Sequence, residues 1–161
     1  IVEKSLWKLK YRGITDISNL FGQLIHEKII SDISEEMIFK NIEKILLIPI
    51  PMTDKRLSER GFNQSELIVK SIISIDKEKL FLYQPLLIKI KETKSQMTIR
   101  NREERLKNII NSFRAIDENK ISGKYIILID DITTTGATLF EAKKVLLEAG
   151  AKEVRAYTIA H

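Results

Sequence analysis

Residues 126–138 read Ile-Ile-Leu-Ile-Asp-Asp-Ile-Thr-Thr-Thr-Gly-Ala-Thr, and this stretch decides the fold. Tyr125–Ile129 is a short apolar run that predicts a buried parallel strand. Asp130 and Asp131 place paired carboxylates at the carboxyl end of that strand. The small residues that follow predict a turn into a helix, where backbone N–H groups and the helix dipole favour a phosphate. The stretch therefore suits a ligand with both a phosphate and a diol or metal ion, as in a ribose 5-phosphate.

Other folds explain this stretch less completely. Receiver domains also carry paired aspartates, but near their first strand and without a Thr-Thr-Gly-x-Thr turn. A P-loop is excluded as the sequence is written, because no Gly-Lys-Ser/Thr follows the glycine. An ordinary strand-to-helix connection uses Asp as a cap and Gly for the turn, but does not require both carboxylates and all the threonines.

The whole stretch resembles the phosphoribosyl pyrophosphate (PRPP) motif of type I phosphoribosyltransferases. The resemblance implies that Asp130 and Asp131 contact the ribose 2′ and 3′ hydroxyls, and we expect them to be the catalytic pair. It also implies that the following turn wraps the 5′-phosphate. The residues of that turn are Thr134, Thr135, Gly136, Ala137 and Thr138.

A basic segment, residues 49–64, follows an earlier predicted strand. In a parallel sheet it would lie at the same edge as residues 130–138. Type I enzymes have a short pyrophosphate loop at this place, so we expect Lys55, Arg56 and Arg60 to bind pyrophosphate. A solvated basic loop is the alternative, although Arg-Gly-Phe-Asn-Gln at residues 60–64 is unusual for one.

A second basic segment, about residues 91–115, lies between the predicted core strands. Type I enzymes cover their site there with a mobile hood, whose closure excludes water. On this resemblance Gln96 and Arg105 are candidate hood residues. The alternative is an amphipathic surface helix over residues 100–107, and the sequence favours neither.

The order of these motifs resembles the ComF family of competence-associated, phosphoribosyltransferase-like proteins. Arg60-Gly61-Phe62-Asn63-Gln64 is specific to that family, and the resemblance extends from about Leu6 to Ile159. Many members carry an amino-terminal zinc module with four cysteines. This chain has no cysteine, so that module either lies upstream or is absent from this member. We expect residues 1–161 to form one phosphoribosyltransferase domain.

Strands alternating with helices predict an α/β fold with a mostly parallel sheet flanked by helices. Near-helical spacing over residues 6–25, broken by Gly13, indicates one or two helices. Residues 52–62 are expected to form a loop. The other expected elements are strands at 44–51, 86–90 and 154–159, and helices at 63–73, 103–110 and 136–149. In the last helix, Leu139, Ala142, Val145, Leu146 and Ala149 predict the buried stripe, and Glu141, Lys143, Lys144 and Glu148 the wet face.

Composition limits the remaining possibilities. With 43% hydrophobic and 30% charged residues, the chain is typical of a soluble globular protein. Its longest apolar runs are too short to cross a bilayer, and no signal peptide is visible. The absence of cysteine is compatible with a cytoplasmic location. A net charge of +5 suits a polyanionic substrate, and less specifically weak nucleic-acid binding.

The resemblance implies attack on ribose carbon 1 with pyrophosphate leaving, and Mg²⁺ held through the substrate. Three functions stay open at this point. The chain is a transferase acting on PRPP and an unknown acceptor, or a non-catalytic PRPP sensor or scaffold for competence or recombination proteins or DNA. The third is a purine or pyrimidine salvage enzyme. The sequence predicts neither the acceptor nor the oligomeric state.

Overall fold

A parallel four-stranded sheet forms the centre of the computed structural model, which describes residues 2–92, 108–132 and 136–160. The order of its strands is β2-β1-β5-β6, and every pair is parallel. The strands are β1 Ile45–Pro49, β2 Phe81–Tyr83, β5 Tyr125–Ile132 and β6 Glu153–Ala160. The expected α/β fold is confirmed.

Helices cover both faces of this sheet in the described part of the chain. These helices are α1 Val2–Lys40, α2 Asp54–Arg60, α3 Gln64–Ile75, α4 Glu118–Ile121 and α5 Ala137–Glu148. A separate two-stranded antiparallel sheet consists of β3 Leu87–Lys89 and β4 Phe113–Ala115. Helices α1 and α3 pack on one face, and α5 and the small sheet on the other.

The central strand β1 shows why the sheet is buried on both faces. All five of its residues are buried. Ile45 and Leu47 join the core beneath α1 and α3, whereas Leu46 and Ile48 join the core beneath α5. Because successive side chains of a strand point to opposite faces, an unbroken apolar run is what a strand between two helical layers needs.

Helix α1 corrects the expected break at Gly13, since it is continuous from Val2 to Lys40. Its carboxyl-terminal half is tied to the outer strand β6 by ion pairs. Arg155 contacts Glu36, and Lys40 Nζ lies 2.9 Å from a carboxylate oxygen of Glu153.

Three further expectations were wrong. Residues 54–60 form helix α2 instead of loop. The strand expected at residues 86–90 exists as β3, but it belongs to the small antiparallel sheet, and β2 at Phe81–Tyr83 takes its expected place in the core. Glu141, expected on the wet face of α5, is only 4% exposed, and its carboxylate accepts the N–H of Asn111 at 2.8 Å.

The other elements agree with the expectations. Helix α5 ends as expected before Gly150, whose φ of 92° is the left-handed conformation that a glycine adopts readily. Most of the helix expected at residues 103–110 lies outside the described residues. Within the described ranges, none of the helices combines the length and apolarity needed to cross a bilayer.

Candidate phosphoribosyl site

The acidic pair lies at the carboxyl edge of the sheet. Strand β5 ends at Ile132, so Asp130 and Asp131 are strand residues and do not belong to the loop that follows. Asp130 is 9% exposed and Asp131 is half-buried. In open parallel sheets ligands bind outside this edge, at the carboxyl ends of the strands.

One oxygen of Asp130 has two donors within the protein. The hydroxyl Oγ of Ser65 donates to Oδ1 at 3.0 Å, and the backbone N–H of Asp131 donates to the same atom at 3.0 Å. Ser65 is 3% exposed, so the contact is shielded from water. Ser65 was not among the predicted site residues, because nothing local in the sequence connects a serine to an aspartate sixty-five positions away.

The environment of Asp130 favours its protonated form. Burial and, second, the charge of Asp131 raise the pKa of Asp130 to about 7. The hydrogen bonds from Ser65 and from the N–H of Asp131 oppose this rise in pKa, because they favour the carboxylate. A carboxyl group that titrates near neutral pH at the end of a sheet is a mark of functional sites.

The Arg-Gly-Phe-Asn-Gln run, residues 60–64, lies between the end of β1 and Ser65, the residue that donates to Asp130. Gly61 ends α2 with a left-handed φ of 81°. Asn63 is the N-cap of α3: its Oδ1 accepts the N–H of Ser65 at 3.0 Å, and its Nδ2 donates to the carbonyl of Ile50 at 3.0 Å. The run therefore holds the first turn of α3, including Ser65, against the strand edge.

Of the three cations expected to bind pyrophosphate, Arg56 is the least exposed. All three lie on α2, which begins after the N-cap Thr53. Arg56 is half-buried, whereas Lys55 and Arg60 are exposed. The register places the end of β1 beside β5, with Pro49 opposite Ile129, so α2 starts at the same edge as Asp130.

Lys89 is a further cation at this edge that the sequence analysis missed. Its Nζ lies 5.6 Å from the centroid of the Phe113 ring across the small sheet. Burial and, second, the charge of Arg56 lower the pKa of Lys89, while Glu92 and Asp130 act in the opposite direction. Lys89 thus lies within electrostatic range of both Arg56 and Asp130. The strand pattern at residues 86–90 was visible, but not that it would pair with β4.

The expected phosphate turn is described in part. Thr134 and Thr135 lie outside the described residues, whereas Gly136, Ala137 and Thr138 begin α5. Gly136 is the N-cap in a left-handed conformation, with φ of 70° and no side-chain cap. Ala137 is 2% exposed and belongs to the core on the α5 side of the sheet, so the start of α5 is packed against the domain. A twelve-residue helix directs the positive end of its dipole to this edge.

The expected hood residues Gln96 and Arg105 lie outside the described residues. The chain before and after them is described. Strands β3 and β4 pair antiparallel, and the N–H of Ile90 donates to the carbonyl of Ser112 at 2.8 Å. Strands β3 and β4 therefore lie side by side, and the part-buried hydrogen bond from the N–H of Asn111 to Glu141 links the chain before β4 to α5.

The binding of Mg²⁺ mainly through substrate stays a prediction, with which the oxygen ligands of the acidic pair are compatible. Mg²⁺ prefers oxygen ligands and commonly binds through substrate phosphates and few protein groups. Within the described part of the chain, no group of three or more His, Cys, Asp or Glu residues is arranged to hold a metal. Asp130 and Asp131 offer negative charge at the edge where such an ion and its diol would lie.

Family comparisons agree with this geometry. Residues 55–161 match the model of the phosphoribosyl transferase domain. Competence protein ComFC of Streptococcus pneumoniae is 38% identical over 84% of this chain and 56% of its own length. Its Bacillus subtilis counterpart is 34% identical over 99% of this chain and 59% of its own length. The chain belongs to the phosphoribosyltransferase family, as a ComF-type member.

Solved structures show the same fold. Hypoxanthine phosphoribosyltransferase from Trypanosoma cruzi, complexed with the product IMP, aligns with a TM-score of 0.52 and 10% identity. That alignment covers 89% of this chain and 63% of the other. At such low identity the likeness concerns the fold alone. The chain also spans less than two thirds of the length of the two ComFC proteins.

Proposed function

We propose that this domain binds PRPP with Mg²⁺ and transfers its phosphoribosyl group to an acceptor. The observation that carries the proposal is the acidic pair at the end of β5, with the glycine-capped start of α5 as the next element of the chain. That juxtaposition offers a diol site and a phosphate site on one sheet edge. Membership of the phosphoribosyltransferase family supports the same reading.

Each part of the edge has a separate task in the proposed reaction. Asp130 and Asp131 accept hydrogen bonds from the ribose hydroxyls and so orient the ring. The start of α5 holds the 5′-phosphate through backbone N–H groups. Arg56 and Lys89, aided by the more exposed Lys55 and Arg60, hold the pyrophosphate. Bound Mg²⁺ would supply positive charge between the pyrophosphate and the ribose hydroxyls.

The bond between carbon 1 and the pyrophosphate oxygen breaks, and pyrophosphate leaves with the electron pair. A bond from the acceptor to carbon 1 forms, and the acceptor loses a proton. The developing positive charge on the ribose needs no covalent nucleophile from the protein. Catalysis then comes from orientation and from electrostatic stabilisation of the leaving group.

Calorimetric titration of PRPP with Mg²⁺ tests the proposal. We expect the wild-type domain to bind saturably and Asp130→Asn/Asp131→Asn to lose about a hundredfold in affinity, since two charge-assisted hydrogen bonds become weaker bonds to neutral amides. Asp54→Asn/Glu59→Gln is the matched control, because it removes two exposed carboxylates from α2 at the same edge. Equal binding by the acidic-pair variant and the control would overturn the proposal.

A second function, a PRPP-responsive module without turnover, is favoured by the names of the relatives. Both ComFC proteins are named for competence and not for a transferase activity. We propose on this ground that the domain acts in DNA uptake, with competence or recombination proteins as partners. Measuring pyrophosphate release with nucleobases and other acceptors separates the functions, because a sensor binds PRPP without releasing pyrophosphate. Release with one free base would instead identify a salvage enzyme.

DNA binding is the remaining element of this proposal, supported only by the net charge of +5. We expect any such binding to be weak and to weaken steeply with salt, because contacts with phosphates release counterions. Fluorescence anisotropy with single-stranded DNA between low and physiological salt measures this dependence. Affinity that does not respond to salt would count against a phosphate-based interaction.

A further inference from the structure

The contact between Ser65 and Asp130 joins two elements that are far apart in the sequence. The Ser65 hydroxyl donates to Oδ1 of Asp130 at 3.0 Å, and both side chains are buried. The same Oδ1 accepts the N–H of Asp131. A carboxylate whose one oxygen is held by two donors has a fixed plane, and its second oxygen, Oδ2, then has a fixed direction.

The donor is itself held firmly. Ser65 is in the first turn of α3, and its backbone N–H donates to the N-cap Asn63. Asn63 also donates to the carbonyl of Ile50, next to the end of β1. The hydroxyl of Ser65 is therefore positioned by the strand that neighbours the one carrying Asp130.

We propose that Ser65 is a positioning residue that fixes Oδ1 of Asp130 so that Oδ2 faces the ribose hydroxyl of the substrate. This inference rests on the proposed function, because it assigns Ser65 a task in that same site. Ser65 does not contact the substrate in this arrangement and acts only through Asp130.

The neighbours of Asp130 explain why a positioning hydroxyl matters. Asp131 on the same strand disfavours a second negative charge, while Lys89 on β3 and Arg56 on α2 contribute positive charge to this edge. Within this balance the Ser65 hydrogen bond favours the charged carboxylate. Without it, Asp130 takes up a proton more readily and its carboxyl group turns more freely. A protonated carboxyl is also a poorer acceptor for a ribose hydroxyl.

Ser65→Ala tests the inference through two measurements. In ligand-free protein, the carboxyl carbon of Asp130 followed by NMR should titrate at higher pH than in wild type, with Asp130→Asn identifying the signal. The affinity for PRPP with Mg²⁺ should fall about tenfold at pH 7, as for one lost hydrogen bond to a charged group. The loss should shrink at higher pH, where the carboxyl group ionises in both proteins.

Two further variants complete the experiment. Ser71→Ala is the matched control, because Ser71 is a buried serine of the same helix whose hydroxyl donates to the backbone carbonyl of Asn19 at 3.4 Å. It should change neither the titration nor the affinity. Ser65→Thr keeps the hydroxyl and should restore both measurements toward wild type.

The outcomes separate this inference from the proposed function. Wild-type binding of PRPP together with unchanged titration or affinity in Ser65→Ala would overturn the role of Ser65 and leave the proposed function standing. Absence of PRPP binding by wild type would overturn the proposed function and this inference with it. A shifted titration, weakened binding and recovery in Ser65→Thr would establish the positioning role.

Discussion

Two strand-to-helix turns meet at the carboxyl edge of the sheet, and they are built differently. The first turn, residues 50–64, follows β1; the second turn comprises the acidic end of β5, from Asp130 to Ile132, and the start of α5 at Gly136 and Ala137. Each contains a left-handed glycine, Gly61 in the first turn and Gly136 in the second. In the first turn, side chains cap the helices: Thr53 caps α2 and Asn63 caps α3. In the second, the N-cap is Gly136 itself, which has no side chain to offer.

The difference between the turns indicates a division of tasks. In the first turn, side chains of the turn itself cap both helices. This turn therefore holds the cations of α2 in place without a ligand. The second turn combines paired carboxylates with a glycine-capped helix start, and in the proposed function this helix start faces the 5′-phosphate. Ser65 joins the turns, because it belongs to the helix that follows the first and donates to Asp130 in the second.

The largest effect that we expect on stability comes from ionisation of the Asp130 carboxyl group in the second turn. The pKa of Asp130 is about 7 in the folded protein, against an ordinary value of 3.8. The folded state therefore binds more protons than the unfolded state between about pH 4 and pH 7. Stability falls as pH rises through this window, and the full loss is present above pH 7.

Asp130→Asn removes this charge and keeps an oxygen that accepts from Ser65. We expect the variant to be more stable than wild type by roughly 2–4 kcal/mol at pH 8, and little changed at pH 4. Urea unfolding at both pH values measures the difference. A gain of equal size at pH 4 and pH 8 would show that ionisation of Asp130 is not its cause.

The two glycines allow the turns to be compared with the same substitution. Gly61→Ala and Gly136→Ala each place a Cβ in a left-handed conformation, and at neither position does a described residue beyond the two chain neighbours come within 4 Å of that Cβ. We expect each to lower the free energy of unfolding by roughly 1–2 kcal/mol. Only Gly136→Ala should also weaken PRPP binding, by about tenfold or more, because we propose that its turn holds the phosphate.

Thermal melting and calorimetry on both variants check this pair. Equal loss of PRPP affinity in the two would mean that the turns do not differ in the way proposed. Loss of stability without loss of affinity in Gly136→Ala would place the phosphate elsewhere.

The sequence predicted features formed by neighbouring residues better than contacts between residues far apart in the chain. The strand and the helix on the two sides of the second turn were predicted well, because strand, acidic pair, glycine and helix are neighbours in the chain. Contacts over long sequence distances were missed. Ser65 reaches Asp130, Lys89 comes to the edge only because β3 pairs with β4, and Glu141 is buried because Asn111 supplies a backbone N–H.

Short elements escaped prediction for a different reason. Strand β2 has only three residues, Phe81–Tyr83, and one of its side chains is exposed. Three residues are too few to show a period. In helix α2, the caps Thr53 and Gly61 were visible in the sequence, but the charged residues between them have no apolar stripe and none is buried.

Removing the hydrogen bonds of Asn63 in the first turn should have a smaller effect on stability and on PRPP affinity. Asn63→Ala deletes the cap of α3 and the hydrogen bond to the carbonyl of Ile50. We expect a loss of about 1–2 kcal/mol in the free energy of unfolding, typical of an N-cap. PRPP affinity should fall a fewfold, because Ser65 is then less well positioned.

Asp117→Ala is the matched control for this loss of a cap. Asp117 caps the short helix α4 by accepting the N–H of Lys120 at 3.2 Å. It should lower stability without changing PRPP affinity. If both variants bind PRPP equally, the hydrogen bonds of Asn63 contribute to stability and not to PRPP binding.

The smallest effects should come from single cations of α2. We expect Arg56→Gln to weaken PRPP binding more than Lys55→Gln or Arg60→Gln, because Arg56 is half-buried and acts on Lys89, whereas the other two are exposed. Exposed charges interact weakly and are screened by salt, so about threefold or less is expected for each of them at low salt. Lys143→Gln, an exposed cation of α5, is the control and should have no effect. Calorimetry at low and physiological salt measures the ranking. If the three cations of α2 contribute equally, pyrophosphate is held by the net charge of the helix and not by a defined position next to Asp130.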